Sequence, residues 1–439
     1  MKQTESNRVT ILLYGMVVLS LILTWRILSV PSNNSSMQTI STTQLSTSTA
    51  TSVKNIEDIF APYQMLVHTS SSTFITQNET VVGQANDFLA KWKMSSPRFE
   101  SVYSDELFRE LVLELNKVEI KFPASIPLGL ISRYFENLSE DMYGETISRI
   151  LIPTDKSESI YLVDDHNKQV YTARRPETAM DDLVAIYMEN KNSFALADAF
   201  GFENGIQFLP RDSFELKRIV YLVEKQPNSF FINELFDDTT ELRDDSSEFY
   251  TAYSDNISKL QIHKETGILS YLRNSLDQVE SSSYQQIRDS FHALKFIDTW
   301  TRVTYFNGYD EESGEITYYR YMNGYPIMNS SDRGLIRITM SNTRPVEIQY
   351  PTEVIQTPLE DREELVVLPS GVDVIDRLTE AGYLFNDIQA VRVGYGWTSS
   401  EESSRIAELT PAWYVKMNDT WRTVDAWLKS LEEGENVGL

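Results

Sequence analysis

Cysteine is absent from the 439 residues. Its absence excludes disulfides, zinc–thiolate sites, a thiol nucleophile and a lipid-modified N-terminal cysteine, so stability has to come from packing. Histidine is scarce: His68, His166, His263 and His292 are scattered, with no close pair. Positive charge is in the minority, with 39 Lys and Arg against 64 Asp and Glu, a net charge of −25 and a pI near 4.6. Such a surface repels a phosphate backbone, which argues against nucleic acid as a partner, and it repels anionic lipid heads as well.

The short signatures of catalysis are also missing. No serine stands three residues before a lysine, and there is no H-E-x-x-H, no G-x-S-x-G and no Gly-Lys dipeptide. Gly394-Tyr395-Gly396 is a lone glycine pair in a strand context, where a bulge or tight packing explains it. Asp237-Asp238 and Asp244-Asp245 match no calcium-loop spacing and read as a solvated acidic surface. With 64 acids, some carboxylate pair falls within glycosidase range by chance, so spacing alone selects none. Tyr318-Tyr319-Arg320-Tyr321 suits stacking on sugars, but in a strand of period two half of these side chains simply face the core. No metal, cofactor or catalytic residue is assigned.

What is present suits a folded chain: 41% hydrophobic and 11% aromatic residues. One long apolar run stands out, Val9 to Val30, whose 22 residues span roughly 33 Å as a helix and match a bilayer core. Its one charge, Arg26, sits at the outer end beside Trp25. Lys2 and Arg8 precede it, which places residues 1–8 in the cytoplasm and everything after Val30 outside, in a single-pass topology. A cleaved signal peptide has a shorter apolar region and a small-residue exit, whereas this run leaves through Leu28-Ser29-Val30-Pro31. Residues 31–54 are rich in Ser, Thr and Asn and read as a flexible tether.

Beyond the tether, short strands and helices mix without strict β-α alternation. This predicts an α+β fold with mainly antiparallel sheets. Strands are expected at 63–68, 73–76, 147–152, 159–163, 169–173, 220–223, 229–232, 335–340, 346–350, 388–395 and 412–417. Hairpins are expected over Lys264-Glu265-Thr266-Gly267 and Asp310-Glu311-Glu312-Ser313-Gly314, each with glycine closing a polar turn. Helices are expected at 81–92, from Ser104-Asp105, and at 177–189, 283–296 and 371–381. Phe122-Pro123 and Ile126-Pro127 predict an extended loop. A hinge rich in Asn, Phe and Gly runs to about 204, and a short helix expected from Asn233 to Phe236 is broken by the acidic stretch 237–248.

Several stretches carry a resemblance. They are Ser20-Leu21-Ile22-Leu23-Thr24-Trp25, Pro62-Tyr63-Gln64, Phe122-Pro123-Ala124-Ser125-Ile126-Pro127, Phe231-Ile232-Asn233-Glu234-Leu235-Phe236 and Tyr321-Met322-Asn323-Gly324-Tyr325-Pro326. Together the chain resembles the YycH (WalH) family of membrane-anchored regulators of the WalK sensor kinase. The 31–54 tether is longer and richer in Ser and Thr than the family pattern. The resemblance implies three outer domains: 55–200, 201–293 and a last one, 294–432, similar to the outer domain of the sister protein YycI. It also implies no catalysis, no cofactor, and a complex with WalK and YycI through transmembrane and outer contacts.

A single helix in the bilayer acts on a kinase only by packing against the kinase's own helices. Gly15, Met16, Ser20 and Leu23 fall roughly on one face of the 9–30 segment, and the small Gly15 and Ser20 permit close approach. The alternatives are an outer-surface enzyme acting on cell wall polymers, which needs an acid pair in a cleft, and a tethered module that binds a wall fragment or peptide, which an exposed aromatic cleft would favour.

Overall fold

The computed structural model describes residues 55–432, apart from 155–157, 176–180, 204, 275–280, 301–302, 329–330, 342, 360–362, 401–402 and 404. The 9–30 apolar run and the tether lie outside the described residues. Within them, no helix is long and apolar enough to cross a membrane.

Three sheets organise the chain, and every pair of named strands is antiparallel. With the helices on their faces, this is the α+β architecture expected of strands and helices mixed without strict alternation. The first sheet has nine strands, in the order Arg98–Val102, Gln169–Arg174, Ser159–Asp164, Thr146–Pro153, Lys117–Pro127, Gln64–His68, Thr73–Thr76, Ala195–Phe202 and Gly205–Pro210. The central sheet runs Arg243–Asp244, Tyr250–Ser254, Ser258–His263, Ile268–Arg273, Arg344–Pro351, Leu335–Ser341, Glu315–Met322 and Val303–Tyr309, with Tyr325–Pro326 added beside Glu315–Met322. The third runs Glu353–Pro358, Phe214–Lys225, Ile406–Met417 and Ala390–Ser399, with Glu364–Leu368 on Phe214–Lys225 and Thr420–Thr423 on Ile406–Met417.

The sheets cut across sequence order. Ile268–Arg273 pairs with Arg344–Pro351, so the boundary expected at 294 falls inside the segment that builds one sheet. Phe214–Lys225 leaves its neighbours in sequence and pairs with strands more than a hundred residues later. The first and central sheets share one core. It runs from Ile59, Phe60 and Ile120 through Phe231 and Phe306 to Tyr350, and the Phe60 and Phe306 rings lie 5.2 Å apart.

Local signals explain the helices. Asn78 accepts from the Thr80 and Val81 amides and starts the helix Glu79–Trp92, whose buried residues Val81, Val82, Ala85, Leu89 and Trp92 recur every three or four positions. Ser282 and Gln285 form a capping box at the start of Ser283–Ile297. Lys117 donates to the Leu111 and Val112 carbonyls at 2.6 and 2.8 Å and so satisfies the C-terminal end of Asp105–Leu113. Gly267 and Gly314 take positive φ at the two hairpin turns, as their turn chemistry requires.

Four expectations are corrected. Residues 229–232 lie in the helix Asn228–Leu235 rather than in a strand: Phe231 and Leu235 share a face, and fully buried Phe231 packs on Tyr350 with ring centres 5.6 Å apart. A short apolar run fits strand or helix, and tertiary packing chose helix. Residues 122–127 continue the strand Lys117–Pro127, with an irregularity between Lys121 and Ile126 that absorbs Pro123, while Pro127 pairs in register with Thr146. The hinge around 190–204 carries the strand Ala195–Phe202, which pairs with Thr73–Thr76 on one side and with the edge strand Gly205–Pro210 on the other. In Glu315–Met322 both faces are covered: Tyr318 joins the large core, while Tyr319 and Tyr321 pack with Met328 and Tyr414 of the third-sheet side.

Candidate functional site

The three sheets meet around a cavity of about 920 Å³, within the size range of small-molecule sites. The first sheet contributes Tyr63 and Gln64 at one strand start, the Phe122–Ser125 bulge, and Lys121 and Asp165. The central sheet contributes Asn307, Tyr321 and Asn323, and the third sheet Arg392, Trp413 and Trp421. The exposed residues Asn192, Ser193, Glu215 and Asn323 mark its mouth.

Each pair of sheets is joined beside the cavity by a specific hydrogen bond. The Val391 amide donates to Gln207 Oε1 at 2.9 Å, joining third to first. Arg392 Nη1 donates to Asn307 Oδ1 at 3.3 Å, joining third to central. The Gly324 amide donates to Glu79 Oε1 at 2.8 Å, joining central to first. Gly324 has φ +84°, and a Cβ there would sit 1.9 Å from the Gln77 carbonyl oxygen, so only glycine fits this docking turn.

Beneath the first-sheet wall lies a buried ionic chain. Glu119 and Arg149 are fully buried, and Arg149 Nη1 donates to Glu119 Oε1 at 2.7 Å. Arg149 also grips Asp165 through Nε at 2.6 Å and through Nη2, and Nη2 donates to the Ile206 carbonyl at 3.0 Å. His68 Nε2 lies 3.1 Å from Glu119 Oε2 and Nδ1 lies 2.9 Å from Thr73 Oγ1. A carboxylate only accepts, so Nε2 carries the proton that it donates to Glu119. Burial works against Glu119 ionising, but Arg149 and His68 outweigh it and hold the carboxyl at about 2. Burial likewise works against the Arg149 charge, and Asp165 and Glu119 outweigh it and raise its pKa.

Lys121 reaches the cavity surface from this chain. Its Nζ donates to the Ile206 carbonyl at 3.2 Å and lies 3.8 Å from Asp165 Oδ2. Burial and the neighbouring Arg149 guanidinium push its ammonium down to about 8. Across the cavity Arg392 lies over the Trp421 ring, 4.3 Å from its centre.

Of the two carboxylates that line the cavity, Asp165 is held by Arg149, while Glu215 is exposed at the mouth. Asp237 pairs with Arg273 and Arg344 at 2.8 and 3.2 Å, and Asp244 caps the Ser246 amide. No group of potential metal ligands occurs among the described residues. Gly15, Met16, Ser20 and Leu23 lie outside the described residues. The cavity residues were missed from sequence as a site, although three stretches that carry the resemblance, 62–64, 122–127 and 321–326, all border it. The fourth described stretch, 231–236, is core, with Phe231 and Phe236 buried.

Comparison with known proteins covers nearly the whole chain. A family model described as "YycH protein, N-terminal domain" matches residues 6–193, and one described as "YycH protein, C-terminal domain" matches 205–431. A Bacillus subtilis (strain 168) protein named "Two-component system WalR/WalK regulatory protein YycH" is 23% identical over 459 residues, covering 99% of each chain. The crystal structure of YycH from Bacillus subtilis superposes with a TM-score of 0.71 at 16% identity, covering 84% of this chain and 97% of that one. At that identity the superposition establishes the shared fold.

Proposed function

The chain belongs to the YycH family, and from that premise we propose that it is a membrane-anchored, non-enzymatic regulator of a WalK-type sensor histidine kinase. The observation that carries the reading is the end-to-end match to a protein named as a WalR/WalK regulator, with 99% of each chain aligned. In this reading residues 1–8 are cytoplasmic, 9–30 cross the membrane once, and 31–54 tether the folded part outside the cell. The chain acts together with YycI, through packing of the 9–30 helix along Gly15, Met16, Ser20 and Leu23 and through contacts of the outer part. It thereby tunes signalling that governs the cell wall. A partner shifts a kinase between two states only by binding one of them better.

Co-purification from membranes tests this. The full-length chain and an exported version lacking residues 1–30 are each assayed for retained kinase and YycI. Retention that depends on the first 30 residues supports control through transmembrane packing. Equal retention assigns the contact to the outer part. Loss of both partners from the full-length chain overturns the regulatory complex.

A further inference from the structure

We propose that the cavity between the three sheets is a binding site for a small acidic sugar, with the ligand's carboxylate held between Lys121 and Arg392 and its ring against the aromatic wall. The site stands on the cavity itself and goes beyond the regulatory role.

Charge is the first argument. The chain as a whole is strongly acidic at −25, yet the cavity lining carries the cations Lys121, Arg392 and Lys416 against the acids Asp165 and Glu215. Lys416 is matched by Asp419 at 2.8 Å. Asp165 is already committed to Arg149, which binds it through two nitrogens. Glu215 is exposed at the mouth. Arg392 has no carboxylate partner among the described residues, only the Asn307 amide oxygen and the Trp421 ring face. Lys121 keeps one carbonyl bond and a long approach to Asp165. Two cations with donors to spare thus line one open-mouthed cavity. A guanidinium fork and an ammonium are the groups that take a carboxylate by charge-assisted hydrogen bonds.

The rest of the lining defines the ligand's body. Gln64, Asn307 and Asn323 offer amides that both donate and accept, the pairing that hydroxyl groups need. Tyr63 and Trp421 present aromatic surface beside them. A hydroxylated ring with one apolar face satisfies both kinds of wall together, whereas a purely apolar ligand leaves the amides unpaired at a cost. A volume of about 920 Å³ admits one or two sugar units.

The test is isothermal titration of the purified full-length chain in detergent, with three probes: N-acetylmuramic acid, N-acetylglucosamine and the dipeptide Ala-Ala. The first two differ by one lactyl carboxylate, and the third carries a carboxylate without a ring. The expected result is saturable binding of N-acetylmuramic acid, at least ~10-fold weaker binding of the neutral sugar, and a ~10-fold or greater loss for both Lys121→Gln and Arg392→Gln. Near-UV circular dichroism and melting temperature establish that each variant is folded. Equal affinity for the two sugars overturns the carboxylate clamp, and binding of Ala-Ala alone overturns the sugar class. Absence of saturable binding by all three probes overturns the proposal.

Discussion

Glu119 has no access to water, yet it is charged. Its two oxygens are taken by Arg149 and His68, and the carboxyl titrates at about 2 instead of in the usual carboxylate range. A carboxyl whose folded pKa lies below its unfolded value contributes stability that is fully present above about pH 4.5 and is lost as pH falls toward 2. The expected size is ~3 kcal/mol. Urea midpoints of the full-length chain between pH 6 and pH 2 measure it. Glu119→Gln flattens that acid dependence by about one proton, and at neutral pH it destabilises by several kcal/mol because it strips Arg149 of a buried partner. An unchanged acid slope in Glu119→Gln would show that the titration belongs to other carboxylates.

At the scale of elements, the turn between Glu315–Met322 and Tyr325–Pro326 is a docking device. Gly324 presents its amide to Glu79, in the first turn of the helix that Asn78 caps, while the Gln77 carbonyl oxygen occupies the space that a Cβ at 324 would need. The positive φ costs an alanine about 1 kcal/mol or more, and a contact of 1.9 Å with backbone oxygen allows no side-chain adjustment. Gly324→Ala is therefore expected to lower stability by roughly 2–4 kcal/mol, read from the denaturant midpoint. It also frees the residue-324 amide from the Glu79 carboxylate, which hydrogen exchange at that amide detects. A variant with wild-type midpoint and exchange would show that this turn carries no tertiary load. The helix Asn228–Leu235 teaches a related point: its apolar Phe230-Phe231-Ile232 run permits a strand, and Tyr350 and the large core decided otherwise.

For the whole molecule, hydrogen bonding across residue 294 sets the folding unit. Strands 250–273 complete their sheet only with 303–351, and the first sheet shares its core with both parts. A fragment of residues 55–293 lacks the partner strands for Ile268–Arg273 and the Phe306 and Tyr350 rings. It is expected to show no cooperative unfolding and rapid proteolysis of its last hundred residues, whereas 55–432 unfolds sharply. A cooperative, protease-resistant 55–293 fragment would show instead that the first sheet and the strands 250–273 are self-sufficient.

Local chemistry was legible in the amino-acid order. The antiparallel α+β class followed from strands and helices mixed without strict alternation, the hairpins from Gly267 and Gly314, and the helix expected at 81–92 from its apolar stripe, while 283–296 and 371–381 were placed to within a residue. These signals act over a few residues, so the sequence carries them directly. The reading of 9–30 as an anchor also rests on sequence alone, because apolar length is a local property. Other features were decided only by tertiary structure. Strands 195–210 form because a sheet edge was free to receive them, and Phe214–Lys225 pairs with strands far along the chain. Tyr319 and Tyr321 are buried by a second sheet on the face that a period-two pattern leaves to solvent. The cavity is the extreme case. Lys121, Asn307 and Arg392 are separated by most of the chain, and no spacing rule relates them. Only three sheets closing on one another put two cations and an aromatic wall around one volume.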